Sequence, residues 1–136
     1  MAFHPYLFFG GNCREAFTRY QEVFGGELFL MTNQDMPENE RMPGVDDSMI
    51  MHAALTIDGN LLMGSDDPTA ESPGSVHGMQ VNYSIGEVAE AERVFKELSD
   101  GGQVNMAIEQ TSWSPAFGMC TDKFGTPWMI SADPPS

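Results

Sequence analysis

Apolar and polar positions along this chain follow two periods in turn, and the alternation of periods occurs twice. The opening run FHPYLFF alternates as a strand does, breaks at Gly10-Gly11, and gives way to a segment with helical spacing. In that segment Ala16, Phe17, Tyr20, Val23 and Phe24 form one face, while Arg14, Glu15, Arg19 and Glu22 take the other. Asn12 with Glu15 three residues on has the form of a capping box opening the helix, and Gly25-Gly26 supplies its stop. The stretch VNYSIGEVAEAERVFKELSDGG repeats the plan, with Val88, Ala91, Val94, Phe95 and Leu98 on the apolar side of a second helix. Strands are predicted at about 3–9, 27–32, 49–57 and 60–66 in the first half, and at about 79–85, 103–109, 117–122 and 126–132 in the second.

The two halves match residue by residue at both ends. Glu15-Ala16 followed by Tyr20 answers to Glu90-Ala91 followed by Phe95, and IDGNLLMGSD lies against KFGTPWMISA, pairing Gly59 with Gly125 and Met63 with Met129. The first half is the longer, and its surplus falls in TNQDMPENERMPGVDDS, whose Pro, Gly, Asn and Asp content marks a long loop. The expected organisation is a single domain over 1–136, built from a module at about 1–66, a Pro-, Gly- and Ser-rich linker at about 67–78, and a module at about 79–133. Each module reads strand, helix, strand, strand, strand, an α+β pattern. One helix covers one face of a four-stranded sheet, so each module leaves its other face to be buried or used. Paired modules would bring those faces together around a cleft, with the helices outside.

Charge narrows the class of partner. Twenty Asp and Glu stand against six Lys and Arg, a formal charge of −14, which repels phosphate backbones and anionic lipid surfaces. Nucleic acid and membrane are therefore not expected partners. MAFHPYLFF lacks the basic start of a signal peptide, no apolar run approaches the ~18 residues of a membrane helix, and Cys13 and Cys120 have neither metal nor disulfide spacing. A cytoplasmic protein with reduced thiols is expected.

Twin βαβββ modules in a chain of this length resemble the vicinal oxygen chelate superfamily of glyoxalase I, bleomycin-resistance proteins and extradiol dioxygenases. PYLFFGGNCREAFTRYQEVFGG, MIMHAAL and SWSPAFGMCTDKFGTPWMIS resemble its PhnB-like branch more narrowly. The resemblance implies curved mixed sheets around a ligand cleft, commonly in a homodimer. Some PhnB-like proteins carry a methyltransferase label for ubiquinone precursors, yet GGN is too short for the G-x-G-x-x-G turn of a nucleotide site.

Metal-dependent members place ligands on the first and last strand of each module. Aligning Phe9 with Ile85 sets His4 against Gln80, Tyr6 against Asn82 and Phe8 against Ser84, all toward the cleft, with Pro5, Leu7, Phe9, Val81, Tyr83 and Ile85 under the helices. If any metal bound, His4 and Gln80 would be its ligands. The remaining two positions fall near Met63 and Met129, where soft thioethers replace the carboxylates a divalent ion prefers. No cofactor is therefore expected. His52, on a strand face with Ala54 and Thr56, is the candidate catalytic residue, since imidazole titrates near neutral pH.

Cys13 lies in the first turn of the first helix, without a neighbouring base in the sequence, and reads as filler. Asp122, ahead of Phe124-Gly125, reads as a turn former. Trp113, Phe117 and Trp128 are aromatic residues in or beside a punctuated loop, suited to stacking on a flat ligand. The expected function is binding of a small apolar or aromatic molecule without a metal. His4, Tyr6, Phe8, His52, Gln80 and Asn82 line the site, with Met63, Met129, Trp113, Phe117 and Trp128 as its apolar walls. The alternative is a metal-dependent or His52-assisted lyase, isomerase or dioxygenase.

Overall fold

Each periodic half closes into one four-stranded sheet with a single helix on one face. The computed structural model describes residues 1–67 and 76–134, so most of the expected linker, 68–75, lies outside the described residues. The chain divides into two compact units, Met1–Pro73 and Gly74–Ser136. The first holds β1 (Tyr6–Phe9), α1 (Cys13–Phe24), β2 (Glu27–Thr32), a 3-10 turn at Glu38–Glu40, β3 (Ile50–Ile57) and β4 (Asn60–Asp66). The second holds β5 (Val81–Ile85), α2 (Val88–Ser99), β6 (Gln103–Glu109), β7 (Phe117–Thr121) and β8 (Pro127–Ala132). Strand β1 starts three residues later than its alternation suggests. Pro5 has no N–H for a ladder, although its carbonyl still accepts from Met63 N–H at 3.1 Å.

The sheets run β1-β4-β3-β2 and β5-β8-β7-β6. In each the outer pair is parallel and the rest antiparallel, giving mixed α+β modules. Their registers carry the sequence repeat into space: Tyr6 pairs with Met63 and Phe8 with Ser65, as Asn82 pairs with Met129 and Ser84 with Ser131. Even the residue beyond the last strand repeats, Asp67 N–H donating to Phe9 O and Asp133 N–H to Ile85 O, both at 2.7 Å.

Helix α1 buries Cys13, Ala16, Phe17, Tyr20 and Val23, and α2 buries Ala91, Val94, Phe95 and Leu98. Against α1 pack Leu7, Phe9, Ala53, Leu55 and Leu62; the corresponding face of the second sheet supplies Cys120, Trp128, Ile130 and Ala132. Full burial of one such apolar side chain is worth about 1.5–3 kcal/mol. These two small cores thus settle which face of each sheet remains open.

The start of α1 departs from the capping-box expectation. Asn12 makes no side-chain cap bond, and its buried Oδ1 has no partner. Asp66, at the end of β4, does the capping instead. Its Oδ1 accepts from Gly11 N–H at 3.0 Å and Cys13 N–H at 2.9 Å, and its Oδ2 from Ile50 N–H at 3.0 Å. A carboxylate has two acceptor oxygens and so satisfies donors from two elements at once.

The glycine pairs that end the helices do more than stop them. A Cβ on Gly26 would lie 2.3 Å from Thr56 O, and one on Gly102 would lie 2.1 Å from Thr121 O. Backbone thus presses on backbone where each helix hands over to its next strand.

Asp66→Asn turns one acceptor into an amide donor facing an N–H. It is expected to destabilise folding by about 1–3 kcal/mol, read as a lower urea midpoint with unchanged slope. Gly102→Ala, measured the same way, is expected to cost about 1–3 kcal/mol through overpacking, whereas Gly125→Ala meets no neighbour within 4 Å and loses only its favourable backbone conformation.

Candidate functional site

With α1 covering one face of the first sheet, strand alternation sends Tyr6, Phe8, Phe29, Met31, His52, Ala54 and Met63 to the other. Register lines up Phe29, Ala54, Met63 and Tyr6 as one row across all four strands. Ala54 is the small member, so the row dips between larger neighbours. His52 stands in the next row, paired with Met31. Its Nδ1 lies 3.2 Å from the Tyr6 hydroxyl, and the two rings stack at 5.8 Å between centroids. Phe8 approaches Tyr6 at 5.2 Å and Phe29 approaches His52 at 6.4 Å. Whichever partner holds the shared proton, Nδ1 is engaged and Nε2 is left to meet a ligand. Phe8 is 67% exposed and Phe29 55%, a large aromatic area on a sheet face. His4 lies in the exposed segment ahead of β1.

The open face of the second unit has a different chemistry. Asn82 Nδ2 donates to Ser84 Oγ at 3.2 Å, and Ser84 Oγ meets Ser131 Oγ at 3.0 Å. Gln80, Asn105, Thr121, Pro127 and Met129, together with residues 76–79, line an open depression of about 530 Å³. Thr121 Oγ1 donates to Asn105 Oδ1 at 2.9 Å, so part of this lining is already fixed. Trp113 is 61% exposed and stands edge-on to the buried Phe117, 5.4 Å between centroids.

Trp128 does not join this face, which corrects its expected role as a wall. It is 2% exposed, lies on the covered side with Ile130, and donates its indole N–H to Asp122 Oδ2 at 2.9 Å. Asp122 Oδ1 also accepts from Phe124 and Thr126 N–H, so it forms the expected turn and anchors the indole as well. Phe29 is the residue that sequence reasoning missed. Alternation in ELFLMT places it with Met31, but only the β2–β3 register brings it beside His52.

The chemistry of the available donors fits a hard divalent ion poorly. Met63 and Met129 occupy the last-strand positions opposite Tyr6 and Asn82, and thioethers are soft. Among the described residues no three His, Cys, Asp or Glu side chains gather to hold a metal. The β1–α1 corner offers no cradle either, because Asp66 already takes the Gly11 and Cys13 N–H groups. Cys13 is equally unsuited to nucleophilic work: burial first, and the Asp66 charge second, push its thiol up to about 12.

A family model described as 3-demethylubiquinone-9 3-methyltransferase matches residues 1–131. The chain belongs to that PhnB-like family, and its fold is shared with glyoxalase-related and fosfomycin resistance proteins. Protein YjdN of Escherichia coli K12 is 36% identical over 140 residues, covering 96% of this chain and 95% of the relative. The crystal structure of PA1353 from Pseudomonas aeruginosa is 40% identical, covers 98% of both chains and superposes with a TM-score of 0.88. FosX, the Listeria monocytogenes fosfomycin resistance protein, is 8% identical with a TM-score of 0.63, covering 96% of this chain and 90% of its own. At that identity it shares the fold alone. The PhnB-like chain thus has the glyoxalase/bleomycin-resistance architecture expected of it.

Cys13 has consequences for reactivity and for alkaline stability. Its thiol should resist alkylation in the folded PhnB-like protein at pH 8.5 and react on unfolding. A free cysteine has a pKa of 9.0, so the unfolded chain releases this proton between pH 9.0 and about 12 while the folded chain retains it. The contribution is therefore full below pH 9.0 and is lost as pH rises through that window. Denaturant midpoints of wild type and Cys13→Ala should converge there.

Proposed function

We propose that this PhnB-like protein binds a small, flat, apolar or aromatic molecule, and that the open face of its first unit is the principal contact surface. The observation that carries the reading is the exposed aromatic row with one imidazole engaged on a single side, Tyr6 to His52 at 3.2 Å. Stacking on Tyr6, Phe8 and Phe29 supplies area, Met63 adapts to shape, and His52 Nε2 gives direction. His4 is proposed as a contact from the preceding segment. In the second unit Gln80, Asn82, Met129 and the Trp113–Phe117 pair are proposed as ligand contacts in their own right. The thioethers at the last-strand positions support binding without a divalent metal. The charge of −14 favours neutral or cationic compounds over anions.

The methyltransferase wording of the family description has little support in these side chains. Neither strand-to-helix corner carries a glycine-rich nucleotide turn: one reads GGN and the other GEV. A second reading, proton transfer by His52 in a lyase or isomerase, is favoured by its fixed Nδ1 and available Nε2. Among the described residues no helix is long and apolar enough to cross a membrane. A cytosolic homodimer completes the proposal, with light scattering on the purified protein as its test.

Titration calorimetry with planar probes, proflavine as the cation and 1-naphthol as the neutral compound, should show saturable binding that persists in EDTA. Phe29→Ala and Tyr6→Ala should each weaken it about tenfold, a loss near 1.4 kcal/mol. Binding abolished by the chelator, or indifferent to both substitutions, would sink the proposal.

A further inference from the structure

One row of the second sheet runs Asn82, Met129, Met119 and Met106, three thioethers in succession, with the β6 register shifting on either side of Met106. Met106 of β6 pairs with Met119 of β7, and Met119 pairs with Met129 of β8. In the regular β7–β8 ladder the Cβ atoms of Met119 and Met129 lie about 4.5–5.5 Å apart, and the three rotatable bonds of methionine let Met106, paired with Met119 at an irregular point of β6, bring its sulfur toward theirs. A fourth methionine lies close by, since Met79 and Met129 line the same depression, together with His77. Core methionines fill gaps, but Met79 is 56% exposed, Met106 44%, and Met119 and Met129 are half-buried. Packing leaves their shared position unexplained.

The donor chemistry selects the ion. Thioethers are neutral and polarisable, which suits a soft ion of the Cu(I) class and disfavours Mg, Mn or Zn. The depression beside Met129, which Met106 and Met119 do not line, has no carboxylate among its described lining residues, and a neutral donor set loses less by holding a singly charged ion than a doubly charged one. The strongly acidic chain as a whole also draws cations toward its surface.

We propose that Met106, Met119 and Met129 form a binding site for a soft monovalent cation, Cu(I) in class, with Met79 and His77 at its margin. The site lies within the second unit and shares only Met129 with the contacts proposed above; it makes no use of the aromatic face of the first unit, so loss of probe binding there would leave it standing. The bound ion needs no change of oxidation state. Ag(I) therefore serves as a redox-inert probe.

The test is a titration of the full chain with Ag(I), followed by NMR of methionine methyl groups labelled with carbon-13. Cu(I) uptake is measured separately under anaerobic competition with bicinchoninate. The methyl resonances of Met106, Met119 and Met129 should shift together and saturate at one equivalent, while those of the first unit stay in place. Met119→Leu, which nearly conserves volume and so keeps the fold, should weaken binding of both ions at least about tenfold. A thiolate-to-metal absorption band rising with uptake would assign the ions to Cys13 and Cys120 and overturn the proposal. Unmoved methyl resonances, or an unchanged affinity in Met119→Leu, would overturn it as well.

Discussion

The carboxylate of Asp66 sets the geometry of the first unit. One side chain at the end of β4 receives N–H groups from the β1–α1 corner and from the start of β3. Three donors are thereby satisfied, and the buried Cys13 and Ile50 N–H groups would each cost about 1–3 kcal/mol if left unpaired. The same bonds fix where α1 leaves the sheet. The apolar side of α1 decides which face it covers, and Asp66 fixes where the helix starts over that face, leaving the aromatic residues on the other.

In the second unit different atoms tie the end of the last strand to the start of β7. Ala132 stands where Asp66 stands in the first register. The buried Ser114 hydroxyl is there within donating distance of the carbonyls of Ala132, at 2.6 Å, and Ala116, at 2.8 Å, and it receives the Ala116 N–H. Asp122 meanwhile secures the β7–β8 turn and the Trp128 indole. Duplication preserved the hydrophobic scaffold and the parallel outer pair, while the buried polar groups that lock each copy diverged. Backbone groups must be paired somewhere, and a carboxylate and a hydroxyl are two answers to one demand.

This division explains what could be read from the chain beforehand. The helices, the order of elements along each module and the correspondence of Tyr6 with Asn82 follow from periodicity and repetition, properties distributed over many residues. Asp66 was not legible, because one acid among twenty looks solvated until its neighbours in space are known. Asn12 misled for the converse reason: a good capping residue can be displaced by a better-charged acceptor from elsewhere in the fold. Trp128 failed on pleat parity. Once Met129 is assigned to the open face, its neighbour must point to the covered one, and the attraction of a loop-flanking tryptophan obscured that constraint.

The two open faces are homologous in register and opposite in chemistry. Tyr6 and Phe8 answer to Asn82 and Ser84, so an aromatic surface on one sheet becomes an amide and hydroxyl surface on the other. The last strands keep their residues at the shared positions, Met63 with Met129 and Ser65 with Ser131. A thioether is a poor ligand for hard ions and a tolerant wall for organic molecules, so its retention in both copies constrains both sites in the same direction. In the first unit aromatic rings and an imidazole surround the sulfur, and the surface suits stacking. In the second unit, by contrast, its neighbour across the ladder is another methionine, and the feature that makes an adaptable wall in one copy becomes a row of donors in the other.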